Sequence, residues 1–382
     1  MRASTVPRPQ ERITSSYSSS LNIINYDRNN LYPNVLMNLV GNSPTASGCL
    51  SRYAAFIEGN GLHSQPLASA VINRNGQTLD EVHQLIAMDK AQFDGFAILV
   101  QYDVTLHVSA LYHLPFEQCR LMESDKDGNI SHIAIHPDWT GRSTRDGERV
   151  AVSEDNVKML PIFNPDPAVV ARQIEEAGGI THYDGQVYYY SGAGAMTYPK
   201  PRYDAALTDI STDEGISNVM NRNARSSFLP SGAFVFYANN DRQYRDTMEQ
   251  IGAMQGDMNT GAVLGIAIEN KDEEPKFLPI RGNNYDKDFT ATTDAVTERI
   301  YSAFGQEGWY RLRTGSVGFA GDIVKDIETE YSKQCAKDQR MLSKAYMAIL
   351  SHFAEGVLPE PPTIQALSIE PYSSIATTTT TP

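Results

Sequence analysis

Residues 232–280 contain, in order, GAFVFYA (232–238), DRQYRDTMEQIGAM (241–254), AVLGIAI (262–268) and KFLPI (276–280). The runs rich in β-branched and aromatic residues predict strands, and the segment between the first two predicts a helix. An acidic turn, ENKDEE, separates the last two strands. The stretch therefore predicts a small unit with the order strand, helix, strand, strand.

Two helical patterns enclose this unit. The downstream pattern, DFTATTDAVTERIYSAFG (288–305), repeats its apolar residues along one side of a helix. In the upstream pattern, Ser211 and Glu214 have the spacing of a capping box. We predict helices over residues 205–228 and 286–305, each about 30 Å long at ~1.5 Å per residue. Neither helix has an apolar face wide enough for a two-sided core, so both need neighbours.

The rest of the chain mixes helices and strands. Residues 31–57 contain two helical patterns split at Gly41–Pro44, and 78–92 predict another helix. Alternating segments over 93–163 predict a mostly antiparallel sheet. A long helix is expected from Asp322 to Glu355, before a proline cluster. These elements predict an α+β protein.

Composition limits the class of protein. The chain has 382 residues, 41% apolar and 20% charged, and no apolar run long enough to span a membrane. Three cysteines far apart in sequence favour a reducing cytoplasm. The polar start lacks the apolar segment of a secretory signal, so we expect residues 1–24 to form a flexible arm.

The net charge of −14 is unevenly spread, since residues 204–305 alone carry −7. Acidic proteins do not normally bind phosphate backbones through counterion release. An acidic wall would instead repel a polyanion mildly and leave it mobile. Solubility is the alternative explanation of the same charge.

The familiar catalytic and metal-binding motifs are missing from the sequence. It contains no GxxxxGK[ST], CxxC, HExxH or GxSxG. On a strand, His132 and His136 would lie about 13–14 Å apart, too far to share a zinc ion. The segment ESDKDGN (123–129) resembles the start of a calcium loop, but Ala134 stands where the bidentate Glu belongs. We expect no catalytic residue, no metal and no cofactor.

Several motifs occur in a recognisable order. They are NLYPNVLMNLVGNSPTASGCLSRYAAFIEGNGL (30–62), PRYDAALTDI (201–210), SSFLPSGAFVF (226–236), MNTGAVLGIAI (258–268), PKFLPI (275–280) and DKDFTATTDAVTERIYSAFG (286–305). Over residues 25–355 this order resembles the portal proteins of long-tailed bacteriophages. The relatives continue from Ala-Phe-Gly into Val-Pro-Pro, whereas this chain has Gln306-Glu307-Gly308-Trp309.

The resemblance implies a portal fold, with an α/β wing, a two-helix stem, a small α/β clip, a long C-terminal helix and a reduced or absent crown. The implied boundaries are an arm (1–24), the first part of the wing (25–204), a stem helix (205–228), the clip (229–285), a second stem helix (286–305), a tunnel loop (306–321), the wing with its long helix (322–358) and a C-terminal tail (359–382).

The resemblance also implies a function and partners. About twelve copies would form a ring around a DNA channel at one capsid vertex, for genome packaging, retention and ejection. The partners would be the major capsid protein, the large terminase subunit, a head-completion adaptor and double-stranded DNA, bound without sequence specificity and without a membrane. The protein would assemble in the host cytoplasm and end in the virion. Another virion ring, such as an adaptor or capsid-associated protein, and an enzyme with an unrecognised acidic site are the alternatives.

Two groups of site residues follow from this assignment. Five glycines over 305–321 predict a mobile tunnel loop, in which Trp309 and Tyr310 pack while Arg311 and Arg313 meet phosphates. Pairing of the arginines with acidic residues across a subunit interface is the alternative. An acidic stem lining is expected from Asp204, Asp209, Asp213 and Glu214. Stabilisation of a helix N-terminus, worth about 0.3–1 kcal/mol, explains the same carboxylates equally well.

Overall fold

The structure is a computed structural model. It describes residues 17–18, 20–123, 129–142, 144–145, 148–149, 151–194, 198–226, 232–237, 240–254, 263–268, 276–279, 285–316, 321–353 and 360–367. The side chains of 144–145, 148–149, 222–226, 232–237, 247–248, 250–254, 263–268, 276–279 and 285–289, and of Tyr17 and Gly321, are left undescribed within those ranges.

Helices and strands alternate along the chain. The α-helices are α1 (Tyr32–Asn42), α2 (Pro44–Glu58), α3 (Gln65–Ala68), α4 (Leu79–Phe93), α5 (Pro167–Glu176), α6 (Leu207–Ser226), α7 (Asp241–Met254), α8 (Tyr285–Ala303), α9 (Glu307–Arg313) and α10 (Gly321–Leu350). The strands are β1 (Tyr17–Ser18), β2 (Ile23–Ile24), β3 (Gly95–Tyr102), β4 (Val108–Leu114), β5 (Cys119–Leu121), β6 (His132–Ile135), β7 (Thr144–Arg145), β8 (Glu148–Arg149), β9 (Lys158–Pro161), β10 (Gln186–Ser191), β11 (Gly232–Tyr237), β12 (Val263–Ile268) and β13 (Lys276–Pro279).

The core forms where helices cover one antiparallel sheet. Strand β3 lies between β10 and β4, and α4 packs against this sheet. A capping box between Thr78 and Glu81 starts α4, and Asp94, in the left-handed region, ends it directly before β3. Helix α2 lies against α4 and α10, so the apolar faces of three helices are buried together.

The segment 93–163, predicted to form one sheet, contributes strands to three sheets in the described chain: β3 and β4 lie in one, β5, β6 and β9 in another, and β7 pairs with β8. The strands β5, β6 and β9 form a second antiparallel sheet. Pro115 and the 3-10 turn Phe116–Gln118 separate β4 from β5, because proline removes a donor that a continuing ladder would need.

The end of the arm predicted over 1–24 is packed against the rest of the chain. Strand β2 pairs with β1, Ile23 bridges to Met122 beside β5, and the Ile23 side chain is fully buried. Residues 1–16 and 19 lie outside the described part of the chain.

Helices α6 and α8 pack against each other, and the elements between them form a sheet of their own. Strand β11 is central, with β12 parallel on one side and β13 antiparallel on the other. Helix α6 follows directly from the 3-10 turn Asp204–Ala206. Ser211 therefore lies inside the helix, and the predicted capping box with Glu214 is wrong.

The end of the described chain returns to the core. Helix α10 ends at Leu350, five residues before the predicted end, and residues 360–367 pack beside the turn after α2. The Asn60 amide donates to the Gln365 carbonyl at 2.9 Å, and the Gln365 amide donates to the Gly61 carbonyl at 2.8 Å. The first part of the predicted tail is thus fixed, whereas 368–382 lie outside the described residues. Within the described ranges, no helix is long and apolar enough to cross a membrane.

Candidate functional site

Helices α6 and α8 form an antiparallel pair. The N-terminal end of α6 and the C-terminal end of α8 form the base of the pair and lie in the core. The ring of Phe304, just after α8, stacks on Tyr203, just before α6, with centroids 4.8 Å apart. Arg299 donates to Asp209 at 3.2 Å across the pair. Because Ile210 and Ile300 are fully buried, the base of the pair belongs to the core.

Burial falls steadily along the two helices. On α6, Ile216 is buried, but Val219 is 39% and Met220 is 51% exposed. On α8, residues 290–292 are exposed, and the first buried side chain among the described residues is that of Val296. The pair therefore leaves the core about halfway along its length. The open side of α6 also includes Gly215, where an added Cβ would meet no atom within 4 Å.

Asp213, one of the four predicted lining carboxylates, is buried in the chain. Its side chain is 6% exposed and accepts hydrogen bonds from the Ser43 hydroxyl at 2.6 Å, the Thr45 amide at 3.1 Å and the Thr45 hydroxyl at 3.2 Å. Ser43 is the N-cap of α2. The carboxylate therefore stabilises the start of α2, where unpaired amide groups favour negative charge.

The other three predicted lining carboxylates differ in their surroundings. Asp204 accepts from the Tyr32 hydroxyl and lies 3.4 Å from Lys200 Nζ. Burial and the bond to Asp204 raise the pKa of Tyr32 well above its usual range. Asp209 is paired with Arg299, and Glu214 is half-buried on the same helix. Their role as a channel lining stays a prediction.

The predicted mobile loop over 305–321 contains a short helix in its described part. Gly305, with φ of +68°, ends α8, and α9 then occupies Glu307–Arg313. A Cβ at Gly308 would lie 2.8 Å from the Ile327 side chain of α10. These two glycines permit a sharp turn and a close helix contact. The mobility of the segment stays a prediction. Residues 317–320, including Gly318, lie outside the described chain.

The four predicted loop residues divide into packed and exposed pairs. The Trp309 ring packs edge-on against Phe56 and Tyr331, with centroids 5.6 and 5.0 Å away. Tyr310 lies against Tyr301. Arg311 and Arg313 are exposed on α9, and in the described chain neither has an ion-pair partner. The structure brings all four residues together at the base of the helix pair.

Gln306 was missed from the sequence. It is fully buried, and its amide nitrogen donates to the Cys49 carbonyl at 2.8 Å and to the Tyr331 hydroxyl at 2.9 Å. Its amide oxygen accepts from Arg52 at 2.8 Å. One side chain thus ties the end of α8 to α2 and α10. A single polar residue after a helix carries no local signal of such distant partners.

The thiols and imidazoles do not form a reactive cluster. Cys49, Cys119 and Cys335 are buried and free, and burial raises the pKa of the Cys49 and Cys335 thiols to about 12. His136 is buried and accepts from the Asp138 amide, whereas His132 is half-buried. In the described ranges, no three His, Cys, Asp or Glu side chains are grouped so that they could hold a metal ion.

Comparison with known proteins gives similarity at the level of structure alone. No protein-family model and no curated protein matches the chain. The structure is similar to a chain from the neck of an empty gene transfer agent particle computed with C6 symmetry, at 14% identity and a TM-score of 0.47, covering 84% of this chain and 82% of that one. A chain from the virion of a native gene transfer agent particle gives 14% identity and a TM-score of 0.40, covering 72% and 68%. An HK97-family phage portal protein from Corynebacterium diphtheriae gives 11% identity and a TM-score of 0.33, covering 70% and 74%.

Proposed function

We propose that this chain is a portal protein, one subunit of a closed ring through which double-stranded DNA passes at a capsid vertex. The observation that carries the proposal is the pair α6 and α8, which is buried at its base and exposed beyond it, and which encloses a separate sheet. A pair built in this way is incomplete as a monomer, because its described side chains beyond the base, at 218–221 and 290–292, are exposed.

A closed ring would supply the neighbours that such a pair lacks. In a closed ring each subunit uses two different faces, one against each neighbour. The exposed side of α6 offers Val219, Met220 and the open position at Gly215, which suit the approach of a helix from the next copy. In this proposal the stem is 205–228 with 286–305, the clip is 229–285, and the wing comprises 25–204 and 322–358.

The charges fit transport of DNA without sequence recognition. The segment 204–305 carries −7, so a wall formed by it would repel phosphates and leave the duplex mobile. Asp209 and Glu214 are the proposed lining carboxylates of α6, and of these two Asp209 shares its charge with Arg299. Arg311 and Arg313 stand exposed beside the base of the pair, where they would hold phosphates transiently after packaging.

The proposed partners follow from the portal assignment. The sheet between α6 and α8 would present a docking platform for the large terminase subunit and later for a head-completion adaptor. The wing would contact the major capsid protein. The ring would assemble in the host cytoplasm and remain in the virion, without a membrane.

Electron microscopy of the purified full chain tests the proposal. End-on views should show a rotationally symmetric ring with a central hole wide enough for duplex DNA. A solid particle or isolated chains would contradict it. The double variant Arg311→Ala/Arg313→Ala should form the same rings but retain less DNA in filled heads. If that variant fails to form rings, the arginines belong to a subunit interface.

A further inference from the structure

The small sheet between α6 and α8 has two edges of different kinds. Central β11 pairs with β12 over six parallel positions, from Gly232↔Val263 to Tyr237↔Ile268. It pairs with β13 over four antiparallel positions, from Gly232↔Pro279 to Val235↔Lys276. In the part of the chain that the structure describes, no further strand pairs with the outer side of β12 or β13. Unpaired edges carry free backbone donors and acceptors and attract another strand.

We propose that these edges join between copies, with β13 of one subunit pairing with β12 of the next, so that the small sheets close into one continuous sheet around the ring. The inference rests on the proposed ring. It adds a specific backbone interface at the far end of the helix pair, in which the partner of each edge is a second copy of this chain.

The strand directions are compatible with this closure. Rotation about a ring axis leaves every copy of β11 with the same inclination to that axis. Strand β12 runs with β11 and β13 runs against it. At each junction β13 therefore meets the neighbouring β12 antiparallel, and the same junction repeats around the ring. A two-fold contact would instead pair like edges, β12 with β12, and would reverse the orientation of every second copy, which a ring of identically oriented subunits excludes.

The dimensions are compatible as well. Two packed helices, at an interaxial distance of ~8–10 Å, occupy about 16–20 Å of circumference per copy. Three strands at ~4.8 Å occupy about 14 Å when they run along the axis, and about 18–20 Å when tilted by ~35–45° as in closed barrels. One helix pair and one three-stranded sheet thus occupy a similar length of circumference. A ring of helix pairs and a ring of sheets therefore close with the same number of subunits.

The two edge strands differ in how well their sequences prevent pairing with unrelated strands. Strand β12 reads VLGIAI, with no charge and no proline, whereas the short β13 contains Lys276 and ends at Pro279. Lysine and proline restrain promiscuous edge pairing, and Pro279 has no amide donor. The junction is therefore limited to about three residues of β13. Such a ladder is weak in solution and forms when the helix pairs already hold neighbouring copies in place.

Paired cysteines test the junction in the assembled ring. Four double variants combine Leu264→Cys or Ile266→Cys in β12 with Phe277→Cys or Leu278→Cys in β13. Within one chain these strands lie on opposite sides of β11, about 9–10 Å apart, beyond the reach of a disulfide at ~7 Å. The three native cysteines are buried, so they can remain. Each single variant serves as the matched control.

After oxidation of rings formed under reducing conditions, at least one double variant should give a ladder of covalent multimers on a denaturing gel, and the single variants should not. Covalent dimers alone would show a two-fold contact and overturn the proposal. Rings that give no cross-link in any double variant would also overturn it while leaving the portal function intact. If the unmodified chain forms no rings, the proposed function itself fails.

Hydrogen exchange of the unmodified protein provides a second measurement that needs no substitution. Amides of residues 263–268 should exchange at least tenfold more slowly in rings than in dissociated chains. Equal exchange in the two states would overturn the edge pairing even if every cysteine variant failed to assemble.

Discussion

Two regions of the molecule differ in how their side chains are paired and buried: the core around α2, α4 and α10, and the projecting pair α6 and α8. In the core, buried charges find partners within the chain, as Lys90 does with Asp94 at 2.5 Å and Asp338 at 2.9 Å. On the outer half of the pair, Val219 and Met220 remain exposed. In the proposed ring, a neighbouring copy would cover these two side chains.

Replacing Lys90 with Met should give the largest effect. The side chain is 2% exposed, and its removal leaves the Asp94 and Asp338 carboxylates close together without their cation. Loss of one partner of a buried pair costs about 3–5 kcal/mol, and the 32% exposure of Asp94 favours the lower end of that range. The urea midpoint of dissociated chains measures it. Lys333→Met is the control, because the pair between Lys333 and Glu330 is exposed and should contribute less than about 0.5 kcal/mol. Equal losses would contradict the account of the core.

Replacing Gly59 with Ala should release the returning segment 360–367. Gly59 has φ of +66°, and an added Cβ would lie 1.9 Å from the Gln365 carbonyl oxygen. The left-handed backbone costs about 1–2 kcal/mol, and losing the adjacent backbone hydrogen bonds adds about 1 kcal/mol. Gly76→Ala is the matched control, since Gly76 has φ of +77° with no atom within 4 Å of the added Cβ. Hydrogen exchange at 360–367 should accelerate in the first variant alone, and acceleration in both would refute the packing argument.

Replacing Asp213 with Ala tests the base of the helix pair. Three donors on Ser43 and Thr45 lose their acceptor, which should lower the free energy of unfolding by about 1–3 kcal/mol. Glu214→Ala, on the adjacent position of α6, should change it by less than about 0.5 kcal/mol. If the two substitutions instead alter DNA passage equally and leave stability unchanged, Asp213 acts in the channel.

Replacing Met220 with Asp should affect stability least and assembly most. Met220 is 51% exposed, so the dissociated chain should lose less than about 0.5 kcal/mol. A charge placed in a helix interface should nevertheless reduce the fraction of protein in rings, measured by analytical ultracentrifugation. Val104→Asp, at a position 78% exposed in the turn after β3, is the control and should assemble normally. If the Met220→Asp variant formed normal rings, the proposal that this part of α6 lies in a subunit interface would be wrong.

Local signals allowed much of the fold to be predicted. The turn at Gly41–Pro44 and the helix after Thr78 were predicted because caps and periodicity act within a few residues. The unit between α6 and α8 was predicted for the same reason. Helix α9 was missed because its stability depends on Trp309 packing against Phe56, more than 250 residues earlier in the chain. The contact of Asp213 with the start of α2 was also missed. The sequence alone does not distinguish a carboxylate that caps a helix from one that lines a channel.

The mass of the purified full chain under native conditions tests the central claim most directly. The account predicts one dominant species at about twelve times the chain mass of 42.2 kDa, collapsing to smaller species for Met220→Asp but not for Val104→Asp. A dominant species of 42.2 kDa at micromolar concentration, with the same mass for both variants, would contradict it.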